Sequence, residues 1–521
     1  MDPNRRLGES IYPPDFYELF RDGSAWQQAA EGVHVVILYL SWIESHHNTA
    51  EFRSIIENIQ SRGIAIAFEA GPLTERGQCN ASTIEGFSGA KPAGDVANYI
   101  AGVGGTLYAY ELEHGFGAAT YNDPACRMSP LAIAQDAANT IQAVWEVFPE
   151  AKMGLIETAN LDVKTVATWM DAYREVMGRE MDYFHLDISY YRIDWAQRAK
   201  EIEDYVKSRG VEFGIFYFGD VDDGSDEEWL ERTEQRFVEY EVLHGGQPDH
   251  VMLHSWHPYP MRFLPETEPG TFTNLILRYL RPRSMLNVHT AGQTAQGVLQ
   301  DEDGNPIANA LVQIKVRPIS GEGVFAEYTV SGTVPEDATF ADVGMRINLE
   351  CDCVGTANLA LDQVEYLQAG DANNRVPNGR FSNGLNGWGV WGNAETNLVA
   401  GASGNALGIR SARNQFMGLN SAQFAVTPGS EFTVTFTARV DPRSQGSGYF
   451  NLVFQNQSGE VRRFTLPIQG GEAMMAETIT AADGSYTVEL GILPQGESAL
   501  IAWFPGDDQL WPALAETLIR R

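Results

Sequence analysis

Four short apolar runs in this chain arrive at carboxylates. IAIAFEA reaches Glu69, LYAYELEHG carries Glu111 and Glu113, KMGLIET reaches Glu157, and DYFHLDIS reaches Asp187. Paired carboxylates suit acid–base chemistry: one, held protonated, gives a proton to a leaving oxygen, while the other attacks carbon or activates water. For a glycosidic bond their separation sets the outcome, about 5 Å for retention and about 6.5–9.5 Å for inversion. The expected catalytic pair is Glu113 with Glu157, from neighbouring runs. Glu111 is the alternative to Glu113, and Asp187 and Glu69 are supporting groups that tune ionisation or bind hydroxyls. A single acid at any of these places reads equally well as a rim residue or an ion-pair partner. Several that converge repel one another unless a substrate, a cation or a shared proton offsets the charge.

Other residues suit the walls of such a site. HSWHPYP (254–260) offers Trp256 and Tyr259 as flat faces for sugar rings and His254 and His257 as hydroxyl donors. SYYRIDW (189–195) adds Tyr190, Arg192 and Trp195. His185, Tyr217 and Asp220 complete the expected substrate-binding set. His185, Asp187, Glu157, His254 and Glu113 have the donor types of a carboxylate and imidazole metal cluster, but no HExxH or paired-His spacing supports one, so no metal is expected. Walker A and GxSxG are absent, which disfavours phosphoryl transfer and serine-hydrolase chemistry.

The elements that must position these residues alternate. Short strands are expected at 10–12, 35–40, 64–69, 106–111, 152–157, 183–187, 213–218 and 250–255, separated by helical stretches such as AEFRSIIENIQSRG with Gly63 as C-cap. Eight strands with intervening helices imply a (β/α)8 TIM barrel over 1–285, in which strand C-termini share one mouth. An open doubly wound sheet is the rival, but no GxGxxG follows an early strand. Beyond Arg283 helical patterns stop and alternating strands with Gly, Asn, Asp and Pro turns take over, the pattern of β-sandwiches, with NVHTAGQTAQG as linker.

Length and charge set limits. At 521 residues the chain exceeds one core and implies two to four domains. Sixty-nine acidic against 36 basic residues give a charge of -33, which repels nucleic acids and anionic membranes. No apolar run is long enough for a membrane helix. MDPNRRLGES is not a signal peptide, so an exported form would have lost one by cleavage. Of four cysteines, Cys79 and Cys126 follow neighbouring strands and are expected to pair, with free thiols as the alternative; Cys351 and Cys353 could form a tight local bridge. Both point outside the cell.

Several segments resemble known families. GVLQDEDGNPIANALVQIKV (297–316) resembles the opening strands of a bacterial immunoglobulin-like domain, and AADGSYTVELGILPQGESALIAWFPGDDQLWPA (481–513) its closing strands. VPNGRFSNGLNGW (376–388) and AQFAVTPGSEFTVTFTARV (422–440) resemble the first and middle strands of carbohydrate-binding modules of families 4/9/22. Residues 328–366 resemble that module's last strands, yet come first. These resemblances imply a circularly permuted jelly roll (319–471) inserted in a split immunoglobulin-like sandwich (294–318 plus 472–521); sandwiches in series are the alternative. Within the jelly roll Trp388 is expected in the core and Trp391 as a sugar platform, and a structural calcium is compatible with such a fold. In the tail Asp507, Asp508 and Trp511 are expected to serve turns and packing.

The barrel is similar in architecture to the large glycosidase clan whose acid/base follows strand four and whose nucleophile ends strand seven. Glu111 or Glu113 stands at the first position, without the usual preceding Asn; strand seven offers only Asp220 where a Glu is expected. The expectation is a secreted glycoside hydrolase, needing no catalytic cofactor and monomeric, that acts on a polysaccharide or oligosaccharide. A glycan-binding protein with a degenerate barrel, or a lyase or metal-dependent barrel enzyme, are the alternatives.

Overall fold

In a computed structural model the chain divides into two compact units that meet in sequence at Pro282/Arg283. The structure describes all residues except 1–5, 12–15, 22, 83, 122–123, 160–161, 189, 191–194, 221–222, 256–258, 319–324, 349–355, 372, 393–394, 403, 413–416, 441–446, 469–472, 491–496 and 521. Trp256, His257, Arg192, Cys351 and Cys353 therefore lie outside the described residues.

In the first unit, seven parallel strands form one curled sheet in sequence order. They are β2 (Val33–Tyr39), β3 (Ala65–Ala70), β4 (Ala109–Glu113), β5 (Lys152–Ala159), β6 (Tyr183–Ile188), β7 (Glu212–Tyr217) and β8 (His250–Ser255). The remaining strand, β1 (Arg6–Ile11), pairs with both edges of that sheet, β2 and β8. Every strand foreseen from the alternation of apolar runs is present within a few residues. Between them run amphipathic helices whose starts follow local rules. Thr49, Ser129, Asp162, Ser225 and Thr271 each accept a backbone N–H of the first turn through the side chain, satisfying a donor that the helix cannot. Gly63, at φ +77, follows the helix Ala50–Ser61 in the left-handed conformation its sequence position suggested.

Register decides which residues face the interior. Glu69 pairs with Glu111, Glu111 with Gly154, and Gly154 with Tyr183. Residues level across a sheet share a face, so Glu69, Glu111, Gly154 and Tyr183 all point inward. From them the alternation places Glu113, Ile156, His185 and Asp187 inward, and Met153, Leu155 and Glu157 outward. Glu157, expected among the converging acids, thus lies one residue off the inward-facing row.

The second unit is antiparallel throughout. Leu311–Pro318 lies between Ala473–Ile479 and Glu497–Phe504, which pairs with Ala513–Arg520; Thr294–Asp301 pairs with Ser485–Glu489. Their side chains share a core that includes Ala295, Leu299, Val312, Ile314, Leu500 and Phe504. Trp511 is buried, as expected, and Asp507 accepts the N–H groups of Gln509 and Leu510 in a turn. The strands between Ala326 and Ile468 form a five-stranded and a six-stranded sheet around a separate core that includes Val343, Leu361, Tyr366, Phe432, Leu452 and Trp388. Trp388 is a core residue as expected, its indole N–H bound to the carbonyl of Pro377.

Candidate active site

Glu113 ends β4, and the chain turns sharply behind it. His114 takes φ +48, a left-handed conformation uncommon for a side-chain-bearing residue, before the helix Gly115–Tyr121 begins. Its ring joins two carboxylates: Nδ1 is 3.0 Å from Oε2 of Glu85, and Nε2 is 3.5 Å from Oδ2 of Asp187 at the end of β6. Glu85 comes from the loop after β3. That loop comes close to His114 because Gly86, at φ +93, has no side chain; a Cβ there would collide with the His114 carbonyl and Ala118. A disulfide between Cys79 and Cys126 ties the same loop to the segment after the helix, as the sequence suggested, and Arg76 donates to the Cys126 carbonyl.

The electrostatics follow from crowding. Burial, then the charges of Glu85 and Asp187, push the Glu113 carboxyl up to about 7, although His114 opposes them. Burial and the neighbouring Glu113 and Glu111 hold Glu69 well above the usual carboxylate range. Burial disfavours a charged His114, but hydrogen bonding to Asp187 and Glu85 and the charge of Glu113 outweigh it and raise its value well above the ordinary one. The hydrogen bond from His114 in turn lowers Glu85. An inward-facing acid that keeps its proton to neutrality, beside other carboxylates and one imidazolium, is the arrangement of a general acid with an ionised partner.

Donor atoms of Glu85, Glu113 and His114 lie within 4.8 Å of one another. With its proton on, His114 sits as a cation between the carboxylates of Glu85 and Asp187, an ion-pair cluster.

The other expected site residues fare differently. Glu157 is fully buried on the outer side of the sheet, where its two oxygens accept the N–H groups of Phe116 and Gly117 at 2.7 and 3.0 Å. Burial pushes it up to about 7 too, but its lone pairs serve the start of the helix Gly115–Tyr121, so Glu157 is a helix cap and not the partner of Glu113. Glu111 and His185 lie inside the barrel, 1% and 2% exposed, 3.0 Å apart, and neither is open to substrate. Tyr217 is buried facing outward, its hydroxyl on Glu241, and Trp195 is buried against Tyr190 and Tyr240; neither lines a cleft.

Tyr190 is partly exposed, with its hydroxyl on the Phe216 carbonyl and the Arg236 guanidinium 3.9 Å above its ring. Asp220 is 3.5 Å from Arg236. His254 faces inward near Tyr39 (3.5 Å) and between Phe216 and Phe218. Tyr259 is partly exposed, its carbonyl accepting from Ser255. In the second unit Trp391 is partly exposed and donates to Asn420 Oδ1 at 3.0 Å. The sequence reading missed His114 and Glu85. His114 was visible in LEHG at a strand end, whereas Glu85 sits in an irregular loop with no periodic signal.

No family model matches the chain, and no curated protein matches it. Among solved structures, fungal β-1,4-galactanases share 11% identity over 43% of this chain and 78% of theirs, with a TM-score of 0.32. A GH10 endoxylanase from a sugarcane soil metagenome shares 12% over 53% and 97%, at 0.34. A GH86 protein in complex with neoagarooctaose shares 10% over 84% of this chain and 95% of its own, at 0.36.

Proposed function

We propose that the chain is a glycoside hydrolase whose first unit, a closed (β/α)8 barrel, cleaves a glycosidic bond of a carbohydrate polymer. Glu113 is the proton-donating acid and Asp187 the ionised partner, nucleophile or base. The observation that carries this reading is the setting of Glu113: a strand-end carboxyl pushed up to about 7 by burial and by neighbouring acids, within a cluster that holds a single imidazolium. A leaving alkoxide needs a proton at neutral pH, and such an acid still has one. Glu85 and Asp187 help to keep the proton on Glu113 and the charge on His114.

The second unit is read as a carbohydrate-binding jelly roll, circularly permuted and inserted into an immunoglobulin-like sandwich. Supporting this, Trp391, Asn420, Asp342 and Gln455 lie together on the six-stranded sheet: Asp342 accepts from Asn420 and Gln455 at 2.6 and 2.5 Å, and Asn420 accepts from Trp391. A ring face beside fixed amides and a carboxylate suits stacking and hydroxyl bonding. The disulfide suits secretion.

The test is release of reducing ends from a panel of polysaccharides by wild type, Glu113→Gln and Asp187→Asn. Wild-type release that both variants lose by about a thousandfold is expected. Retention on a polysaccharide with no release would leave a glycan-binding protein instead.

A further inference from the structure

Glu69 stands apart from the other acids of the mouth. It lies one residue before the end of β3, faces inward, and is level with Tyr39 on one side and Glu111 on the other. It is 4% exposed, yet among the described residues no N–H or O–H donates to it and no cation pairs with it. Its neighbours are better served. Glu111 accepts from the Tyr183 hydroxyl, Glu157 from two backbone N–H groups, and Glu85 and Asp187 share the His114 ring. Glu113 is committed to the leaving oxygen, so Glu69 is the acid left without a task.

A buried carboxyl with no donor of its own is a cost to the fold. What offsets it must come from outside the chain and enter through the mouth. A sugar hydroxyl would bring a hydrogen bond and no charge. A protonated amine would bring up to three N–H donors together with the positive charge that Glu69, Glu85, Glu113 and Asp187 otherwise find only in His114. The net charge of -33 draws polycations to the chain at long range and repels polyanions.

We propose that the carbohydrate taken by this mouth carries free amino groups, as a de-N-acetylated amino-sugar polymer does, and that Glu69 binds the ammonium of a sugar unit beside the bond that Glu113 protonates. Burial and the neighbouring Glu113 and Glu111 make Glu69 hold a proton to higher pH than an ordinary carboxyl. On binding, the ammonium takes the place of that proton, which passes to solvent, and no covalent bond forms or breaks. Carboxylate and ammonium then make a neutral pair, so the charge beside Glu113 is little changed. Glu69 is in this role a specificity residue of the proposed hydrolase, and the role rests on that reading.

The test is isothermal titration calorimetry of the full-length chain at about 0.15 M salt, which screens the general attraction between a polycation and an acidic surface. Three β-1,4-linked tetramers that differ only at C2 serve as probes: those of glucosamine, N-acetylglucosamine and glucose. Wild type should bind the glucosamine tetramer about tenfold or more tighter than the other two. Glu69→Gln should bring the three affinities within about twofold of one another. Glu69→Leu should lose the preference too and unfold at no lower temperature than wild type, because no partner in the fold is left behind. Equal wild-type affinity for the three tetramers, binding of none, or a preference that survives both substitutions overturns the amine assignment. A fall in unfolding temperature together with loss of affinity for every tetramer marks Glu69 as structural and overturns it as well. Reducing-end release from a neutral polymer without the amine preference removes the assignment and leaves the hydrolase standing. A preference that depends on Glu69, in a chain that releases no sugar from any polymer, upholds the amine site and removes the hydrolase.

Discussion

Two parts of the same barrel mouth treat their acids in opposite ways. After β7, Asp223 pairs with Arg232 at 2.7 Å, Glu228 with the same arginine at 3.4 Å, and Asp220 with Arg236 at 3.5 Å. Arg236 also donates to the carbonyls of Phe218 and Gly219 and stacks on Tyr190, so two arginines, Arg232 and Arg236, organise this corner. At the ends of β3, β4 and β6, Glu69, Glu113 and Asp187 gather with Glu85, and among the described residues no arginine or lysine pairs with them; His114 is their cation. Burying carboxylates without a fixed counter-charge costs stability. The comparison separates acids held by arginines from acids that share one imidazole. Asp220, just after strand seven, belongs to the acids held by arginine.

Breaking one side should therefore cost activity, and breaking the other should cost stability. The largest expected contrast is between Asp187→Asn, which should lower kcat by about a thousandfold, and Asp220→Asn, which should change it less than about tenfold, both read by reducing-end release. Equal losses would erase the distinction. Next, Arg232→Met leaves Asp223 buried without its partner and should lower unfolding free energy by about 3 kcal/mol in a denaturant titration, with kcat nearly unchanged.

Replacing both Cys79 and Cys126 by Ala opens a loop of 47 residues and should destabilise by up to about 4 kcal/mol. Activity should fall only severalfold, because the disulfide holds the Glu85 loop rather than Glu113 itself. The pH dependence of Glu113→Gln sharpens the comparison further. A carboxyl at about 7 in the fold binds more protons than its unfolded counterpart near 4.5, so wild-type stability falls as pH rises from about 4.5 to 7. The amide variant has no such penalty, and its Tm relative to wild type should be higher at pH 8 than at pH 5 by a few degrees. The activity of wild type should decline as pH rises through about 7, where the acid loses its proton. The smallest effect on chemistry is expected for Trp391→Ala, which should reduce retention on insoluble polysaccharide and leave turnover of a soluble substrate intact.

Much of this architecture is written locally. Apolar runs of strand length, caps such as Ser129 and Asp162, and Gly63 at a helix end make the strand-and-helix order legible, because each depends on a few adjacent residues. Glu113 and Asp187 were identifiable because a carboxylate that ends an inward-alternating run must reach the mouth. Glu157 looked equivalent in sequence and is not. Tyr183 fills the space inside β5, Gly154 takes the inward place, and the neighbouring acid turns outward to cap a helix. Trp195 and Tyr217 misled for a similar reason: an aromatic near a strand end has the same composition whether it packs under a helix or lines a cleft.

The amino-acid order alone determined the kinds of element, their succession, the change from helices to sandwiches near residue 283, and the supply of strand-end acids. These follow from short-range periodicity and turn chemistry. Only the tertiary structure decided which acids share a space and which are neutralised. That depends on strand register, on Gly154, which leaves the inward space to the Tyr183 ring, and on a loop that carries Glu85 to His114. Each is a contact between residues far apart in sequence, which no local pattern encodes.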